Sequence, residues 1–75
     1  MTNLSEIPVG IHARVVEIGG ERSFRRRLME MGLLPGTIIR VIRHARVGGL
    51  VQLEVRGCHL SLRHSEARAL TLQPA

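Results

Sequence analysis

A chain of 75 residues is shorter than a typical domain of roughly 100 to 150, so residues 1–75 are read as a single domain with one core. Its charge comes from 11 arginines and no lysine against 6 glutamates and no aspartate, a formal net +5 that attracts anions, and its single thiol, Cys58, excludes an internal disulfide. Without lysine there is no Walker-type phosphate loop, and no apolar run approaches the roughly 18 residues of a membrane-spanning helix.

Leu4 and Ile7 are isolated apolar anchors ahead of a turn marked by Pro8 and Gly10. From Ile11 to Ile18 the apolar positions change phase between Val15 and Val16, the signature of one strand with a bulge, and Gly19-Gly20 ends it. Ser23 is the predicted cap of a short helix. Phe24, Leu28 and Met31 then form one apolar stripe at i, i+4 and i+7, and Gly32 closes the helix. Arg22, Arg25 and Arg26 fall on the other side, so the helix offers an arginine face outward.

Leu33-Leu34-Pro35-Gly36 is a turn, and Thr37 to Arg43 is the strongest β run, with Ile39 and Val41 on one face and Ile38 and Ile42 on the other. After Val47-Gly48-Gly49, Val51, Leu53 and Val55 alternate inward along Leu50 to Arg56. Cys58, Leu60 and Leu62 continue the pattern beyond a tight hairpin at Gly57. Ser65 is the expected cap of a single helical turn, and Leu70 and Leu72 lie on a last strand ending before Pro74. The sum is a mostly β chain of about five strands with one short α-helix. Glycine turns without βαβ spacing point to a small antiparallel β-barrel, whose closure removes exposed edges.

The chemistry of sites is sparse. Cys58, His59 and Glu54 are near in sequence, but strand neighbours point to opposite faces, so Cys58 and His59 are not expected to meet, and no catalytic residue is assigned. His12, His44, His59 and His64 contain no i, i+4 helical pair and there is no CxxC; they read as solvated surface histidines, and neither a metal site nor a cofactor is assigned. A basic barrel that binds RNA or DNA is the alternative function. It lacks stacking platforms, because Phe24 is the only aromatic residue and belongs to the apolar stripe. The opening Met1-Thr-Asn-Leu-Ser-Glu has no signal-peptide pattern, and the cysteine usage fits a reducing compartment, so the expected location is the cytosol.

Arg27-Leu-Met-Glu-Met-Gly-Leu-Leu-Pro-Gly-Thr37 resembles the RLxEMGLxPGT signature of FeoA domains. Val55-Arg-Gly57, Leu60-Ser-Leu-Arg63 and Glu66-Ala67 match that family's VRG, LxLR and EA pattern in order and spacing. The resemblance covers nearly the whole chain. It implies an SH3-like barrel and a non-enzymatic accessory role in ferrous iron uptake. The partner implied is the membrane transporter FeoB, on its cytoplasmic GTP-binding side, with an effect on its assembly or its GTPase-linked activity and a location at the inner membrane through FeoB. The same domain occurs fused to iron-dependent repressors, but this sequence carries no helix-turn-helix. The partner-contacting candidates are Arg22, Arg25 and Arg26 with Leu33 and Leu34 in the turn that follows, and self-association is a further possibility.

Overall fold

The computed structural model describes residues 2–45 and 47–75. Its strands are β1 (Thr2–Asn3), β2 (His12–Ile18), β3 (Ile38–Ala45), β4 (Leu50–Val55), β5 (Cys58–Arg63) and β6 (Leu70–Pro74). A 3-10 turn spans Leu4–Glu6, and the helices are α1 (Arg22–Glu30) and α2 (His64–Ala67). The five expected strands are all present; Thr2–Asn3 adds a sixth, paired antiparallel to β6. All neighbours in the sheet, in the order β1-β6-β2-β3-β4-β5, run antiparallel. This is the SH3-like mostly β architecture.

The sheet curls around one core in which Leu4, Leu28, Leu33, Val41, Val51, Leu53, Leu70 and Leu72 are fully buried. The alternation in β4 is the cause: Val51, Leu53 and Val55 are inside while Gln52 and Glu54 lie toward solvent. Curling needs local kinks, and the register of β2 against β6 shifts between Val15 and Glu17, where the sequence changes phase. A second shift, between Val41 and Arg43 on β3, bends that strand against β4. It turns His44 to the inner side opposite Val51, which plain alternation along β3 does not suggest.

Closure is incomplete as a ladder. Among the described residues β1 and β5 do not pair, so β5 has no second strand partner. The seam is filled instead by α2, which packs against β4, β5 and the 3-10 turn and buries Ala67. Cys58 faces the same side as its partner Val55 but sits at this edge and is exposed, not core.

Both helix caps differ from expectation. α1 begins after Glu21 with no side-chain cap, and Ser23 lies inside its first turn. α2 begins after Arg63, whose N–H donates to the Glu66 carboxylate at 2.9 Å; Ser65 again is inside the helix. Serine identity alone does not fix the cap, because an extended residue two positions earlier starts the helix in each case.

Candidate docking surface

Helical geometry explains the partition of α1. Residues three and four apart share a face, so Arg22, Arg25 and Arg26 project together, and Met29, one turn further, joins them. All four are exposed, Met29 at 39%. None of these three arginines forms an ion pair among the described residues. Arg22, Ser23, Arg26, Arg27 and Glu30 line a shallow hollow of about 390 Å³ on this side. The opposite stripe holds Leu28, fully buried, and Phe24, half-buried against the core. Arg27 flanks that stripe: its guanidinium lies 5.7 Å from the centre of the Phe24 ring and 2.6 Å from the Glu66 carboxylate. Phe24 is therefore engaged in packing and with a cation, and its outer edge lines a small hollow with Gly20, Glu21, Ser65, Glu66 and Ala69.

The end of α1 decides between Leu33 and Leu34. Gly32 takes φ +98, the Gly32 N–H donates to the Met29 carbonyl at 3.0 Å, and the Leu33 N–H donates to the Leu28 carbonyl at 3.0 Å. This is the Schellman stop, in which the residue after the glycine packs back on the last turn. Leu33 accordingly joins Leu28 in the core at 0% exposure and cannot contact a partner, which corrects its assignment as a contact residue. It also takes the place expected for Met31, which stands outside at 40%.

Leu34 is different: it is 40% exposed and begins a hydrogen-bonded turn, with the Thr37 N–H donating to its carbonyl at 2.9 Å. Pro35 presets the second turn position and Gly36, at φ +92, supplies the third, as a type II turn requires. The turn is bonded to β2 from both sides: the Gly36 N–H donates to the Val15 carbonyl at 2.7 Å and the Val15 N–H to the Thr37 carbonyl at 2.8 Å. Leu34, Pro35, Gly36, Thr37, Ile38 and Arg56 line an open depression of about 590 Å³. Ile38, 46% exposed, was legible as outward-facing on β3, but Met29, Ile38 and Arg56 were not assigned to a contact surface. Arg56 reaches this region from the β4–β5 hairpin, where it and Gly57 both have positive φ.

Two of the four histidines are not simple surface groups. His44 and His64 are half-buried with ring centroids 6.0 Å apart, while His12 and His59 are exposed. His59 lies 3.5 Å from Glu54, which also faces Arg40 at 3.5 Å across the sheet. No group of three or more metal-ligating side chains occurs among the described residues, and no described helix is long and apolar enough to cross a membrane.

Of the signature blocks, Leu28, Leu33, Val55, Leu62 and Ala67 are buried in the core, while Gly32, Pro35-Gly36 and Gly57 make the helix stop, the turn and the hairpin from outside it. The chain is also similar to proteins of known kind. The chain is 31% identical over 93% of its length to an Fe(2+) transport protein A/Fe(2+) transporter FeoB fusion protein of Porphyromonas gingivalis, of which it spans only 8%. The solution structure of a FeoA protein from Chlorobium tepidum is 34% identical, with a TM-score of 0.91 over 97% of this chain and 70% of that one. A manganese-dependent transcriptional repressor superposes with a TM-score of 0.91 over 99% of this chain and 36% of that one, but at 17% identity it shares the fold alone. The FeoA domain family model matches residues 2–74, and with the signature residues placed as described, the chain belongs to the FeoA domain family.

Proposed function

We propose that this chain is a non-enzymatic accessory protein of ferrous iron uptake that docks on the cytoplasmic side of a FeoB transporter and modulates its assembly or its GTPase-linked activity. The observation that carries the reading is the P. gingivalis protein in which a chain like this one and FeoB are one polypeptide, an arrangement that keeps two domains at high effective concentration. The surface offered is the α1 face of Arg22, Arg25 and Arg26 together with Leu34. Arginine and exposed apolar side chains are common anchors of interfaces, and three cations with no ion pair among the described residues suit an acidic partner face. On this reading the protein works in the cytoplasm, held peripherally at the inner membrane through FeoB.

Co-purification with detergent-solubilised FeoB tests it, comparing the native chain with a triple Arg22, Arg25, Arg26→Ala variant. The native chain is expected to be retained and the variant lost as salt rises. Failure of the native chain to associate at any ionic strength refutes docking. Equal retention of both chains removes α1 from the interface. GTP hydrolysis by FeoB at saturating accessory protein reads out modulation separately.

A further inference from the structure

Two histidines distant in sequence meet at one end of the barrel, and the backbone holds each of them. His64 opens α2 with its N–H donating to the Gly49 carbonyl at 2.8 Å. His44 lies on β3 beyond the register shift, and its Nε2 donates to the Ile7 carbonyl at 2.6 Å. A carbonyl oxygen only accepts, so Nε2 carries the hydrogen and the lone pair of the neutral ring is on Nδ1. This is how metal-ligating histidines are prepared: one ring nitrogen donates to a carbonyl or carboxylate, fixing tautomer and orientation, and the other coordinates.

The spacing is within reach of one ion. An imidazole nitrogen about 2.0–2.1 Å from Zn(II) puts its ring centroid about 3.2 Å from the ion, so two rings on one ion have centroids about 5.2 Å apart at the tetrahedral angle and at most about 6.4 Å. The observed 6.0 Å, with the rings tilted by 33°, lies below that limit but beyond the tetrahedral spacing, so the two rings would close slightly on an ion. No third ligating side chain accompanies the pair among the described residues, so an ion held by the two rings would keep its remaining positions for water.

We propose that His44 and His64 form a two-imidazole site for a borderline divalent transition-metal ion, the class that imidazole ligands favour. The ion would clasp β3 to α2, the element that fills the seam of the barrel, and the site is independent of the docking surface on α1.

The test is isothermal titration of the full chain with ZnCl₂ under anaerobic conditions. We expect one ion per chain and a loss of affinity of about tenfold or more in His44→Gln and in His64→Gln. A double His12→Gln, His59→Gln variant and Cys58→Ser should bind as the native chain does. His64→Gln keeps the His44–Ile7 bond and so separates lost ligation from lost folding, which a thermal melt of each variant checks. Nitrogen-15 shifts of the His44 and His64 rings on adding Zn(II) give the same answer without mutation. No saturable binding below about 1 mM, or native affinity in a folded His64→Gln, overturns the proposal.

Discussion

The Arg27 guanidinium lies 2.6 Å from the Glu66 carboxylate and so joins α1 to α2 across the outside of the core. The same carboxylate accepts the Arg63 N–H at 2.9 Å, so one side chain serves both as ion-pair partner and as helix cap. Arg27 is 59% exposed, which limits the pair itself to about 0.2–1 kcal/mol. A double-mutant cycle with Arg27→Met and Glu66→Gln should return a coupling in that range, shrinking in molar salt. Glu66→Ala alone should cost more, about 1–2 kcal/mol, because the cap is lost as well. A coupling much above this range in denaturant unfolding would show that the contact is better shielded than its exposure suggests.

Adjacent leucines should behave oppositely. Leu33→Ala empties a fully buried position and should cost about 2–5 kcal/mol, a large share of the stability of so small a domain. Leu34→Ala should stay within about 0.5 kcal/mol of the native chain and weaken FeoB association instead. Equilibrium unfolding by circular dichroism, read beside co-purification, separates the two.

Much of this was legible in the sequence. The β4 alternation, the phase change at Val15, the Gly32 stop and the turn at Pro35-Gly36 all follow from local patterns that a strand or helix terminus dictates. Which of Leu33 and Leu34 packs inward was not, because it depends on the chain folding back over Leu28 after a left-handed glycine. Nor was the meeting of His44 with His64, which requires a bulge on β3 and the docking of α2 in the seam. Side-chain patterns report the face of one element; they do not report which two elements share an end of the barrel.

Glycines test backbone conformation apart from packing. Gly36 sits at φ +92 with nothing within 4 Å of an added Cβ, so Gly36→Ala should cost only the conformational strain, about 1–2 kcal/mol. Gly20, at φ +89, also has the Phe24 ring 3.0 Å from an added Cβ. Gly20→Ala should therefore destabilise more than Gly36→Ala, and thermal melts of the pair decide it. The reverse order would mean that the Phe24 ring yields freely.

Charge reversal gives the sharpest test of the α1 face. Arg25→Glu should leave the melting temperature nearly unchanged, since its side chain is exposed and in no ion pair among the described residues. It should reduce FeoB capture more than Arg25→Ala does, because a like charge then opposes an acidic partner. Surface resonance at two salt concentrations measures both arms, and equal capture by the two variants would count against an electrostatic interface.

If Leu34 docks as proposed, the two hydrogen bonds that stitch Gly36 and Thr37 to Val15 bear on how fast and how tightly it is captured. A side chain on a loose loop must surrender backbone freedom at the moment of association, whereas this one surrendered it when the barrel formed. Changes to β2 that slacken those bonds, far from any contacting atom, should therefore shorten the lifetime of the complex while leaving the exposed surface chemically untouched.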